Sequence, residues 1–243
     1  LVFKLKREVG VDEIERLEGS FIQRAIQRFE ACPNLEIVGS PSLPRLAIMA
    51  LRFKHGDKDL HYGFVVSLLN DLFGIQVRGG CSCAGPYGHS LLGMDMPYSR
   101  AIESEIKQGN MLLRPGWVRL NFNYFIDEHE FEYLLKAVEL VATSGWHMLP
   151  FYQVDAKSGV WRFQGQCNQM ASSLDGFQLT EYCQKSSRQT NVKVSLDGIY
   201  SSAEQVLLNT TDYNEVPPLI LSDENERLRW FSLPQEVTHT NLA

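Results

Sequence analysis

Cys81 and Cys83 stand in the run Val77-Arg78-Gly79-Gly80-Cys81-Ser82-Cys83-Ala84-Gly85-Pro86, with glycines on both sides. A thiol is nucleophilic as its thiolate, which access and nearby positive charge favour, and Arg78 and His89 are close in sequence. A free cysteine is just as readily a buried apolar residue, and both readings of Cys83 stand on these residues alone. A Cys-x-Cys pair also suggests half of a metal site. No second pair follows at a zinc spacing, so no metal is expected. A disulfide between residues two apart is strained, which weakens a redox switch between Cys81 and Cys83 without excluding it.

Arg119 lies in Trp117-Val118-Arg119-Leu120-Asn121-Phe122-Asn123-Tyr124-Phe125, whose alternation predicts a strand with Arg119, Asn121 and Asn123 on one face. A guanidinium there can hold a carboxylate through two parallel hydrogen bonds. The plain alternative for Arg119, and equally for Arg78, is a structural ion pair. His55, His61, His89, His129 and His147 form no ligand pair at helical spacing. Lys54 and Lys58 fall in a polar turn, poor ground for a Schiff-base lysine, which wants partial desolvation. No glycine loop of phosphate-cradling type is present. These residues supply a nucleophile and anion clamps, with no cofactor site.

Something must position them. Apolar residues at three- and four-residue steps predict helices over about Val11 to Cys32, Tyr62 to Phe73, Tyr98 to Gln108 and Glu128 to Ser144. Asp12 and Asp127 are N-terminal caps for the first and last of these, and Gly74 is a stop. Leu35 to Val38 predicts a short strand, and Leu46 to Phe53, nearly continuous in apolar residues, a buried one. Ile75 to Arg78 alternates as a strand that Gly79 and Gly80 are expected to end. The fold class expected is α/β, a small mixed or antiparallel sheet with packed helices, over residues 1–162. Residues 163–243 are expected to form a polar, acidic C-terminal extension, loosely packed and with little regular structure.

The formal charge of -6 argues against a nucleic-acid partner, which would call for a basic face. No apolar run approaches the roughly 18 residues that would span a bilayer, so no membrane role is expected. Five scattered cysteines do not make a disulfide framework, which points to a reducing, cytoplasmic setting. Leu1 to Arg7 lacks the pattern of a signal peptide, and without Met at position 1 the chain is expected to begin inside a longer protein.

Val77 to Gly93, taken with Gly116 to Tyr124, resembles the small-domain segments of class V aminotransferase-fold enzymes. These include cysteine desulfurases, selenocysteine lyases and the sulfurase part of molybdenum cofactor sulfurases, whose Arg-x-Gly-Cys-x-Cys form is nearest. One large group of desulfurases has two histidines where this chain has Cys81 and Ser82. The resemblance implies the C-terminal small domain of a homodimeric pyridoxal-phosphate enzyme acting on an amino acid. It implies Cys83 as the sulfur-accepting cysteine, Arg119 as the carboxylate-binding arginine and Arg78 as the strand-end arginine before the loop. The Schiff-base lysine and phosphate site would belong to a missing N-terminal large domain, so no bound cofactor and no turnover are expected of this chain alone. Two alternatives remain open at this point. One is a transaminase of the same fold in which Cys83 is a bystander; the other is a non-enzymatic redox or interaction module.

Overall fold

The computed structural model describes residues 1–80, 85–164, 195–209 and 218–237. Cys81, Ser82, Cys83 and Ala84 lie outside the described residues, as do Cys167 and Cys183. Helix α1 spans Val2–Val9 and α2 Val11–Glu30. Strands β1 (Leu35–Ile37), β2 (Ile48–His55) and β3 (Lys58–Leu60) follow, then α3 (Tyr62–Phe73) and β4 (Arg78–Gly80). Next come α4 (Gly85–Leu91), α5 (Met96–Lys107), a 3-10 turn at Met111–Leu113, β5 (Trp117–Asn121) and α6 (Glu128–Ser144). A second 3-10 segment, Gly145–Phe151, leads into the hairpin β6 (Tyr152–Asp155) and β7 (Val160–Phe163). Two further helices are α7 (Leu196–Asn209) and α8 (Asp223–Leu228).

The main sheet runs β1-β2-β5-β4, with β3 also paired to β2, and every pairing is antiparallel. The fold class is the one expected, α/β with a small antiparallel sheet and packed helices. Asp12, expected to cap α2, lies instead in its first turn, with Gly10 at the N-cap position and no side-chain cap, whereas two other helix ends follow local chemistry. Asp127 and Glu130 form a reciprocal capping box on α6, and Gly74, at φ 65°, closes α3 in the left-handed conformation.

β2 departs from the continuous burial expected of it. Met49, Leu51 and Phe53 are buried among Phe29 of α2, Phe64 and Leu68 of α3 and Phe131 of α6. Ala50, Arg52 and Lys54 are only partly covered, and Ile48 is exposed. One face of the sheet is therefore core and the other polar, the ordinary pattern of an antiparallel sheet. The strand also continues through Lys54 and His55, and the turn lies at Gly56, where φ is 62°.

The stretch expected to be loosely packed is corrected where it is described. Ala203 and Leu207 of α7 are buried, as are Phe231, Leu233 and Val237 further on. The segment after α8 lies along β3. Asp59 N donates to Trp230 O at 3.1 Å and Ser232 N to Asp59 O at 2.9 Å, forming a parallel bridge. Short apolar clusters there serve an existing core, which composition alone does not reveal. Among the described residues no helix is long and apolar enough to cross a membrane.

Candidate anion site on the open sheet face

Arg78 of β4 and Arg119 of β5 are directly opposed in the ladder, and Arg119 is opposed on its other side by Ala50 of β2. Opposed residues project to the same face with β-carbons about 5 Å apart, so the two guanidinium groups share one surface. Arg78 is exposed and Arg119 half-buried. Asn121 lies on the same face, two residues along β5, and is exposed. Asn123 does not join them. The strand ends at Asn121, and Asn123 Oδ1 instead accepts from Phe125 N at 2.9 Å in a turn of the kind asparagine favours.

Charge on this face is unevenly matched. Arg52 Nε donates to Asp59 Oδ2 at 2.8 Å, and its Nη1 lies 3.2 Å from Glu36 Oε1. Lys54 Nζ lies 2.8 Å from Glu36 Oε2 and 3.1 Å from Asp59 Oδ1. Two cations and two carboxylates thus close on themselves. Among the described residues, neither the Arg78 nor the Arg119 side chain has a carboxylate or hydrogen-bond partner. Opposed like charges destabilise a sheet, so an uncompensated pair is a cost that a bound anion would relieve.

The strand that presents Arg78 is held close to α3. The strand expected over Ile75 to Arg78 is shifted: Ile75 to Val77 lie outside it, and Gly79 and Gly80, expected to end it, belong to it. A β-carbon at position 79 would lie 2.7 Å from Tyr62 Cδ2 and 3.0 Å from Val66 Cγ2, so only glycine lets β4 approach this closely. Gly80 follows at φ 110°, a conformation side chains rarely adopt.

The described histidines are dispersed. His61 is fully buried; its Nε2 donates to Leu112 O at 3.1 Å, while Nδ1 accepts from Trp161 Nε1 and from Gly63 N, each at 3.0 Å. Burial pushes it down to about 3, against a smaller upward pull from the Leu112 carbonyl, and the ring is neutral. His55 pairs with Ser232 Oγ, His147 with Leu207 O and His129 with Asp197. His89 lines a cavity of about 650 Å³ between α4 and α5, with Met94, Arg100 and Glu103. Among the described residues no three histidine, cysteine or acidic side chains gather as a metal would require.

A pyridoxal cofactor needs a partly desolvated lysine amine and a phosphate cradle. Lys54 is held by Glu36 and Asp59, Lys58 by Glu236, and every other described lysine is exposed. The described residues do not fit that group. Sequence reasoning singled out both arginines but not their opposition, nor the small Ala50 beside Arg119, nor Tyr62 behind Gly79. A weak signal for the last was available, an aromatic residue opening the helix that precedes a Gly-Gly strand.

A model of the aminotransferase class-V family matches residues 1–134. No curated protein matches the chain. The solved structures that match include the apo structure of a cysteine desulfurase from Thermococcus onnurineus NA1. It is 21% identical, with a TM-score of 0.42 over 58% of this chain and 28% of that chain. This chain thus spans less than a third of the desulfurase chain's length.

Proposed function

The chain belongs to the class-V aminotransferase family, and from that premise we propose that its open sheet face holds the carboxylate of an amino-acid substrate. The reaction is pyridoxal-phosphate-dependent, as in the family, and of the desulfurase or lyase kind. One observation carries the reading, the opposition of Arg78 and Arg119 beside a fully matched cluster of Glu36, Arg52, Lys54 and Asp59. Arg119, half-buried and mid-strand, supplies the planar fork that aligns a carboxylate. Arg78 adds a second charge at the sheet edge. Orientation of this kind reduces the entropy lost at the reacting centre.

Because no described lysine fits the cofactor, we propose that a large domain outside this chain binds it. Cys83 is the proposed sulfur-accepting thiol, from its place after Arg78-Gly79-Gly80. A homodimeric whole and a cytoplasmic setting belong to the same proposal.

Replacing Cys83 by Ser in the full-length enzyme tests the chemistry. A desulfurase loses sulfide release, whereas a transaminase keeps its rate. Replacing Arg119 by Ala tests the site, and an amino-acid KM unchanged by that substitution rejects it.

A further inference from the structure

Trp230 lies almost a hundred residues beyond the part of the chain that the family model matches, yet it reaches β4 through Tyr62 and the turn before β5 through Leu113. Its ring stacks on His61 at 5.2 Å and lies near-parallel to Tyr62 at 6.1 Å. His61 and Tyr62 are themselves 4.4 Å apart between ring centroids. Tyr62 is the residue against which Gly79 and Gly80 of β4 rest. On the other side, Trp230 Nε1 donates to Leu113 O at 3.1 Å, next to the His61 bond to Leu112 O. Those two carbonyls belong to the 3-10 turn that leads through Arg114, Pro115 and Gly116 into β5. A single aromatic stack therefore lies behind β4, where Val66 shares the contact with Gly79, and beside the turn that enters β5.

The segment carrying Trp230 is anchored independently of the stack. Tyr98 Oη donates to Leu228 O at 2.7 Å. Arg229 is forked onto Glu236 at 2.7 and 2.8 Å, and Lys58 Nζ reaches the same carboxylate at 2.9 Å. A ring held this way is a fixed wall, and packing transmits its position because interiors are close-packed.

We infer that Trp230 is a positioning residue for the Arg78–Arg119 pair, acting through His61 and Tyr62, so that the C-terminal segment is part of the anion site's construction. The inference rests on the reading that this pair holds an anion, and the experiment separates the two. Inorganic sulfate is titrated at low ionic strength into the whole chain while the arginine side-chain Nε–Hε signals are followed by NMR, with thermal melting recorded for each variant.

Arg119→Ala is the control for the site. If the unaltered chain shows no sulfate response, or Arg119→Ala keeps it, the anion reading fails and the inference falls with it. Given a response that Arg119→Ala removes, Trp230→Leu is expected to weaken sulfate by about tenfold and to shift both arginine signals before any sulfate is added. Trp230→Phe, which keeps a stacking ring, is expected to restore binding to within about threefold. Core packing alone would lower the melting temperature without moving either arginine signal. Should Trp230→Leu not fold, Tyr62→Leu removes the contact under Gly79 directly and is expected to reproduce the loss. Sulfate binding and arginine signals unchanged in whichever of these two variants folds would overturn the inference.

Discussion

Arg52 and Arg119 project from the same sheet face, yet Arg52 lies between Glu36 and Asp59 while Arg119 faces another arginine. The two should respond oppositely to removal. Arg52→Ala leaves Asp59, whose side chain is only 4% exposed, with one cation in place of two. A loss of about 2 kcal/mol is expected. Arg119→Ala relieves opposition to Arg78 and should change stability by no more than about 0.5 kcal/mol, in the stabilising direction. Urea denaturation at low salt measures both. A loss from Arg119→Ala as large as that from Arg52→Ala would mean that Arg119 is a structural residue.

Close approach of β4 to α3 makes a second expectation. Gly79→Ala places a methyl 2.7 Å from Tyr62 Cδ2 and should cost about 2 kcal/mol. In a Tyr62→Leu background much of that cost should disappear, giving a coupling of about 1 kcal/mol in a double-mutant cycle. Additive losses would show that Val66, on the same helix, is the limiting neighbour.

Helices α2, α3, α5 and α6 were legible in this sequence because their signals are local, whereas α1, α4, α7 and α8 were not expected. Asp127 with Glu130, and Gly74 after Phe73, mark ends through contacts within one turn, and the structure places those ends at the same residues. The arginine pair was legible only as two separate residues. Which residue of β4 opposes Arg119 depends on register between strands far apart in sequence, and neither strand encodes it alone. β2 misled because Ala50, Ile48 and the stem of Arg52 sit among larger apolar residues and blur the alternation. The late segment was illegible for a similar reason. Trp230, Phe231 and Leu233 show no period, and they become core only against His61, Tyr62 and the β2–β3 hairpin.

The anchoring of that segment should depend on acid. Burial alone would raise Glu236, but the Arg229 fork, the Leu233 N–H and Lys58 outweigh it and hold the carboxyl at about 2. A carboxylate depressed in the folded state contributes stability that is complete above its unfolded value near 4.5. That contribution is lost as pH falls from there toward 2. Glu236→Gln should therefore lower stability at pH 7 and flatten the acid limb of the pH profile. Circular dichroism melts across pH 2 to 5 (roughly the span in which carboxyl groups titrate) give the comparison. Parallel acid limbs in the two proteins would show that the pair contributes nothing.

His61 should act earlier in the same descent. Its ring is neutral because burial among Tyr62, Trp161, Trp230 and Phe231 opposes a charge, and its Nδ1 is already occupied by two N–H donors. The folded value is about 3 against an unfolded value of 6.5, so below 6.5 the unfolded chain binds a proton that the folded chain does not. Stability from this residue is complete above that pH and declines by about 1.4 kcal/mol per pH unit as pH falls, until the folded value is reached. His55 and His147 are also lowered by burial and steepen the first part of the decline. Urea midpoints between pH 7 and 4 should therefore fall continuously, while the NMR signals of His61 keep the neutral Nε2–H form. A His61 ring that titrates in the native protein near the ordinary histidine value would mean that the stack opens in solution, and Trp230 would then not be a fixed wall behind Tyr62.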